Sequence, residues 1–274
     1  RGPQRRGLGS AFTKHISISF SEEVKAMLRR HEEIHSGVLG RKVQVLAFGN
    51  YGAPVIAFPS GGGQYHDFEG NGMIGAVSHL IDSGKLKVYC PEGLDKESWL
   101  NDGIEPHWRA VRHQAYEQFI VKDLVPSIRT DCDDPDIRIG MTGCSLGAFH
   151  AVNFALKFPH LFNYVLAMSG RYDAEELCGA KSDSSEIYFN NQLAYAYHLH
   201  GDALEKIRTQ TRLTLVCGQG PWEDGNLEDT NKLADLFVEK GIPHERDIWG
   251  HDVEHSWNWW RRQINYHFSK EFGN

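Results

Sequence analysis

Short, mainly apolar runs recur along the chain and alternate with longer stretches whose apolar residues return every three or four positions. The runs at residues 55–58, 86–90, 137–142, 164–168 and 213–217 read as strands buried on both faces. A strand open to water on one side would alternate apolar with polar residues. Between them, residues 73–82, 110–128, 148–158 and 227–240 read as helices. Gly241 ends the last of these and Pro243 prevents its resumption. Two further strand signals, 30–36 and 42–48, flank a turn at 37–41 and predict an antiparallel hairpin at a sheet edge. A short helix at 22–28 precedes them; a strand at 244–249 and a helix from Ser256 close the order.

Strands alternating with amphipathic helices predict an α/β fold: a mostly parallel central sheet with an antiparallel N-terminal edge and helices on both faces. One domain over residues 21–274 is expected, after a flexible tail at 1–20. Residues 171–210 break the alternation. An insertion there lies over the C-terminal ends of the strands, where ligands bind, as a small lid or as a solvated excursion.

Composition narrows the function classes. A chain of 274 residues, 24% charged and 41% apolar, is ordinary for a water-soluble enzyme. A net charge of −7 without a basic stripe argues against nucleic acid as a partner. No apolar run approaches the ~18 residues of a spanning helix. The five cysteines are odd in number and widely spaced, without a CxxC pair. They predict free thiols in a reducing, cytoplasmic setting rather than disulfides or zinc. The first ten residues lack both an initiating Met and the apolar stretch of a signal peptide.

Chemistry enters at Gly143-Cys144-Ser145-Leu146-Gly147. Composition alone yields ~0.2 such patterns by chance, so context decides. Here a strand precedes and a helix follows, the setting of a nucleophile elbow in which a strained turn lifts the serine above the sheet. A Gly-rich turn that merely packs a helix on a sheet is the bland alternative. A serine nucleophile needs a base, and in such sheets an acid and then a histidine follow it in the chain. The loop before the last helix offers His251 and His255; the loop after residues 213–217 offers Glu223 and Asp224. Their adjacent side chains diverge, so only one orients the imidazole. The Leu146 amide is one oxyanion donor, and the Gly-rich loop after residue 58 supplies a second from Gly63 or Gln64. Tyr65, Trp222 and Trp257 lie on nearby loops as candidate substrate-lining residues. His251 and His255, with His66 or His150, have a spacing two metal ligands use, but no His-Glu-x-x-His exists and no metal is expected.

These features resemble the putative-esterase branch of the α/β-hydrolases, which includes esterase D (S-formylglutathione hydrolase), enterochelin esterases and mycobacterial mycolyltransferases. The resemblance runs from about residue 30 to the C-terminus. His255-Ser256-Trp257-Asn258-Trp259-Trp260 resembles the His-x-Trp-x-x-Trp that carries the catalytic histidine in several members, which favours His255 over His251. Residues 142–148 match the elbow. Gln219-Gly220-Pro221-Trp222-Glu223 is similar to the Gln-Gly-x-x-acid stretch of esterase D and favours Glu223 over Asp224. Mycolyltransferases place the acid later, which keeps Glu228 in view. The Asp-Gly often found after the third strand is missing from Pro59-Ser60-Gly61-Gly62-Gly63. The resemblance implies a serine carboxylesterase without a cofactor, acting on a small-molecule ester through Ser145, His255 and Glu223. Acyl transfer by the same residues and a non-catalytic binding role are its rivals; a homo-oligomer is compatible with the sequence.

Overall fold

The computed structural model describes residues 27–179 and 183–273. The expected tail at 1–20 and most of the helix at 22–28 lie outside the described residues. Eight strands form one sheet: β1 (Arg29–Ser36), β2 (Arg41–Phe48), β3 (Ala53–Phe58), β4 (Leu86–Pro91), β5 (Ile139–Cys144), β6 (Phe162–Met168), β7 (Arg212–Cys217) and β8 (His244–Ile248). Their order is β1-β2-β4-β3-β5-β6-β7-β8. β1 and β2 pair antiparallel, as does β2 with β4, and every other pairing is parallel. This is the mostly parallel α/β sheet with an antiparallel edge that the apolar runs predict, and the α/β-hydrolase fold that the resemblance implies.

The central strands are apolar at consecutive positions because each face meets its own helical layer. Val165 and Ala167 of β6 point into a core with Tyr116, Phe119, Phe154 and Phe237. Tyr164, Leu166 and Met168 of the same strand join Met73, Leu80, Trp260 and Phe268 on the opposite face. The first layer comprises α4 (Pro106–Phe119), α5 (Val125–Asp131), α6 (Leu146–Lys157) and α11 (Asp224–Lys240). The second comprises α1 (Asp67–Gly70), α2 (Met73–Ala76), α3 (Ser78–Asp82) and α12 (Trp257–Phe272).

Two helices depart from the pattern. The single helix expected at 73–82 is broken at Val77, whose φ of −116° ends α2. The two halves still bury Met73, Ile74, Leu80 and Ile81, so the amphipathic signal survives the break. The helix expected at 110–128 spans α4 and α5, with a π turn at Ile120–Leu124 between them. Pro126 lacks an N–H and crowds the preceding turn, and a wider turn ahead of it accommodates both.

The segment after β6 folds into α7 (Ala174–Cys178), α8 (Ser185–Tyr188), α9 (Gln192–Tyr195) and α10 (Gly201–Gln210). It is anchored along α6: Asn153 Nδ2 donates to Asn190 Oδ1 at 2.8 Å, Gln192 Nε2 to the Phe149 carbonyl at 3.1 Å, and Tyr195 Oη to Asn153 Oδ1 at 3.1 Å. α10 buries Leu204 and Ile207 in the main core, which shortens the excursion expected at 171–210. α7 packs beside Leu146 and Phe149 through Ala174 and Cys178.

Candidate active site

The chain leaves β3 toward β4 on one side of the sheet and returns to β5 on the other. The loops after β3 and β5 therefore face each other across the point where strand order reverses, the crevice where open α/β sheets bind ligands. Ser145 stands in this crevice between β5 and α6, with φ 56° and ψ −121°. A non-glycine residue holds that conformation only where its surroundings impose it. They do so here. A Cβ on Gly143 would sit 2.3 Å from the Gly147 backbone, and one on Gly147 2.5 Å from the Pro59 carbonyl oxygen. The Ser145 N–H donates to the Met168 carbonyl at 2.9 Å, and its own carbonyl accepts from Ala148 at 3.0 Å. The Leu146 N–H, in the first turn of α6, has no carbonyl one turn earlier to bond. Cys144, the neighbouring thiol, is fully buried, and burial pushes its pKa well above the ordinary cysteine value. It is no rival nucleophile.

The Glu223 and His255 side chains meet on the adjoining loops. Glu223 Oε2 is 3.1 Å from His255 Nδ1. Asn226 Nδ2 also lies 3.0 Å from Nδ1, but its two hydrogens go to the Trp222 carbonyl and Glu223 Oε2 at 3.1 and 2.8 Å. Nδ1 therefore donates to the carboxylate and Nε2 keeps its lone pair. Nε2 makes no hydrogen bond among the described residues. Glu223 is 1% exposed and fully supported: Ser169 Oγ donates to Oε1 at 2.5 Å, while Asn226 Nδ2 donates to Oε2 at 2.8 Å. Trp260 Nε1 in turn donates to Ser169 Oγ at 3.0 Å, and its ring stands edge-on to the imidazole at 4.7 Å. The Ser169 N–H donates to Val216 at 2.7 Å, so β5, β6 and β7 end side by side beneath this network.

The other candidates lie elsewhere. Asp224 and Glu228 are exposed on α11, and Glu228 pairs with Lys232 at 2.7 Å. His251 is exposed on the β8–α12 loop. Two glycines set the loops against each other: a Cβ on Gly218 would come 2.1 Å from the Val253 carbonyl oxygen, and one on Gly220 2.7 Å. Gly218→Ala is therefore expected to cost about 1–3 kcal/mol, read from denaturant melts, and to disturb the Glu223–His255 alignment.

The β3 loop removes Gly63 from the two expected second oxyanion donors and leaves Gln64. The Gly63 N–H donates to the Ser60 carbonyl at 2.8 Å and is spent within the turn. Gly61 instead passes beside Leu146, its Cβ position 3.6 Å from Leu146 Cβ. Gly62, with φ +73°, points its N–H toward Asp95 Oδ2 at a long 3.4 Å. Gln64 follows in the turn leading to α1, its carbonyl accepting from Asp67 at 2.9 Å. Of the aromatic candidates, Tyr65 stacks on His31 at 5.0 Å and Trp257 packs against Trp260 at 4.9 Å, and both stay half-buried. Trp222 is 86% exposed in a left-handed conformation (φ 70°). Leu100, absent from the sequence-based candidates, flanks the loop, its Cδ1 3.7 and 3.6 Å from where a Cβ on Gly61 or Gly62 would sit. His66 is exposed and His150 bonds Asp95; among the described residues no group of His, Cys, Asp and Glu is arranged to hold a metal ion.

The family model described as putative esterase matches residues 36–269. The chain belongs to that family. Among curated relatives of this esterase, the diacylglycerol acyltransferase/mycolyltransferase Ag85A of Mycobacterium tuberculosis is 23% identical over 262 residues, covering 85% of this chain and 77% of its own. The uncharacterized protein YjcH of Bacillus subtilis is 24% identical over 207 residues, 73% of this chain and 78% of its own. Among solved structures, a ferulic acid esterase has a TM-score of 0.70 at 18% identity and covers 90% of this chain and 98% of its own. An S-formylglutathione hydrolase of Staphylococcus aureus has a TM-score of 0.67 at 14% identity, with coverages of 89% and 96%. These likenesses are in fold. No helix among the described residues is long and apolar enough to cross a membrane.

Proposed function

We propose that this esterase-family chain is a serine carboxylesterase in which Ser145 is the nucleophile, His255 the base and Glu223 the orienting acid. One observation carries the reading: a buried, hydrogen-bonded Glu223 holds His255 by Nδ1, leaving Nε2 unbonded, in the loops beside a strained serine elbow. Ser145 Oγ attacks the ester carbonyl carbon while its proton passes to His255 Nε2. The carbonyl oxygen becomes an oxyanion, bonded by the Leu146 N–H and by an N–H from Gly61 or Gln64. Collapse expels the alcohol, which takes the proton from Nε2 and leaves the acyl group on Ser145. Water repeats the sequence and releases the acid. No cofactor takes part. Leu100 and α7 would wall the pocket on the Leu146 side, and Trp222 would meet the substrate at the rim.

Glu223→Gln tests the assignment. A neutral amide cannot stabilise the imidazolium and disfavours the required tautomer, so kcat on p-nitrophenyl acetate is expected to fall about 10²-fold or more. Asp224→Asn, altering an exposed side chain, is expected to leave kcat nearly unchanged. Thermal melts of both variants separate lost activity from lost folding. A crippled Asp224→Asn beside an active Glu223→Gln would refute the assignment. The likeness to an acyltransferase favours a second reading, transfer of the acyl group to an alcohol. Excess glycerol would then divert product from acid to ester without changing p-nitrophenol release at saturating donor, provided acyl-enzyme formation limits turnover.

A further inference from the structure

An oxyanion hole works only if its two donors keep a fixed separation. On the reading proposed above, these donors sit on different elements, Leu146 on α6 and Gly61 or Gln64, the neighbours of Gly62 and Gly63, on the β3 loop. We infer that the buried pair Asp95–His150 is the positioning unit that ties this loop to α6. His150 follows Leu146 by four residues and shares its helix face. Its imidazole is 1% exposed, set among Phe58, Tyr116 and Phe149 at ring distances of 5.8, 5.7 and 5.6 Å. Nε2 lies 2.8 Å from Asp95 Oδ1, and the acceptor-only carboxylate assigns the proton to Nε2. Asp95 is likewise 1% exposed, and its other oxygen, Oδ2, accepts from the Gly62 N–H at 3.4 Å.

The chain carrying Asp95 lies directly on the β3 loop. A Cβ on Gly93 would be 2.8 Å from the Gly63 carbonyl oxygen and 3.0 Å from Pro59 Cγ. Asp67 holds the loop's near end, accepting from Ser60 N and Ser60 Oγ at 3.0 Å each. The loop is therefore held between two carboxylates, and Asp95 is the one bonded to the nucleophile's helix. Burying a carboxylate and an imidazole together in an aromatic core is costly compared with apolar packing. The pair's return is geometric: it transmits the position of α6 to Gly62.

The test uses Asp95→Asn, His150→Leu and His150→Gln, with p-nitrophenyl acetate as substrate and phenylboronic acid as a tetrahedral mimic of the oxyanion adduct. Asp95→Asn and His150→Leu are expected to lower kcat about 10–100-fold with KM little changed, as for a small misplacement of a transition-state donor. Boronate affinity should weaken by a similar factor. In His150→Gln the amide nitrogen replaces Nε2 as donor, and most of the loss should be recovered. Asp95→Asn is close to isosteric, so it remains informative if the leucine variant does not fold. Unchanged kcat in a folded Asp95→Asn, or a kcat loss with wild-type boronate affinity, overturns the brace while leaving the esterase reading intact. A wild type that neither turns over the ester nor binds boronate in a Ser145-dependent way overturns both.

Discussion

Ser145→Ala is expected to lower kcat at least ~10³-fold while the protein stays folded. The size follows from losing the covalent path while the oxyanion donors and the binding surface remain, so that catalysis above the water rate persists. Folding should survive because the bonds that set the elbow are backbone bonds, from Ser145 N to the Met168 carbonyl and from Ala148 N to the Ser145 carbonyl. The glycines at 143 and 147 stay in place. Hydrolysis of p-nitrophenyl acetate and a thermal melt, run on one preparation, check both halves. A melt like that of the wild type with undiminished kcat would remove Ser145 from the chemistry.

The second large effect is expected at His255. His255→Ala deletes the base that activates Ser145 and should cost about 10²–10⁴-fold in kcat, since proton transfer then falls to water. It also leaves Glu223 buried without its imidazole, although Ser169 and Asn226 still donate to it. Stability should therefore fall modestly. His251→Ala alters an exposed side chain in the same loop and should leave both kcat and the melt close to wild type. Equal losses from the two substitutions, in folded proteins, would mean that the loop as a whole rather than one imidazole carries the effect.

Much of this arrangement is legible in the chain because it depends on local patterns. Consecutive apolar residues at 55–58 and 164–168 require helices on both sides of the sheet, and the structure places them there. The elbow is legible because its glycines, strand and helix are contiguous in sequence. Glu223 and His255 each fall in the loop that follows a strand, and their meeting needs only that β7 and β8 be neighbours. What the sequence does not announce depends on contacts between distant segments. Ser169, Asn226 and Trp260 support Glu223 from three separate elements, and no local spacing connects them. The same holds for Asp67 and Asp95, which hold the β3 loop from α1 and from the segment after β4. Gly63 or Gln64 is the expected second donor because both stand in the Gly-rich loop after β3. That the Gly63 N–H is consumed by Ser60 depends on the turn the run adopts. The break at Val77 and the π turn before Pro126 are likewise set by backbone conformation, while apolar periodicity passes through both unchanged.

The central claim is that Ser145 is an activated nucleophile. Intact-mass measurement after stoichiometric treatment with a fluorophosphonate, followed by peptide mapping, tests it most directly. Attack by Ser145 Oγ on phosphorus displaces fluoride, the proton passing to His255, so one adduct per chain should appear and map to Ser145. Ser145→Ala should take up none, and His255→Ala should label far more slowly. A wild-type protein that stays unlabelled, or an adduct that maps to another residue while ester hydrolysis persists, would contradict the account.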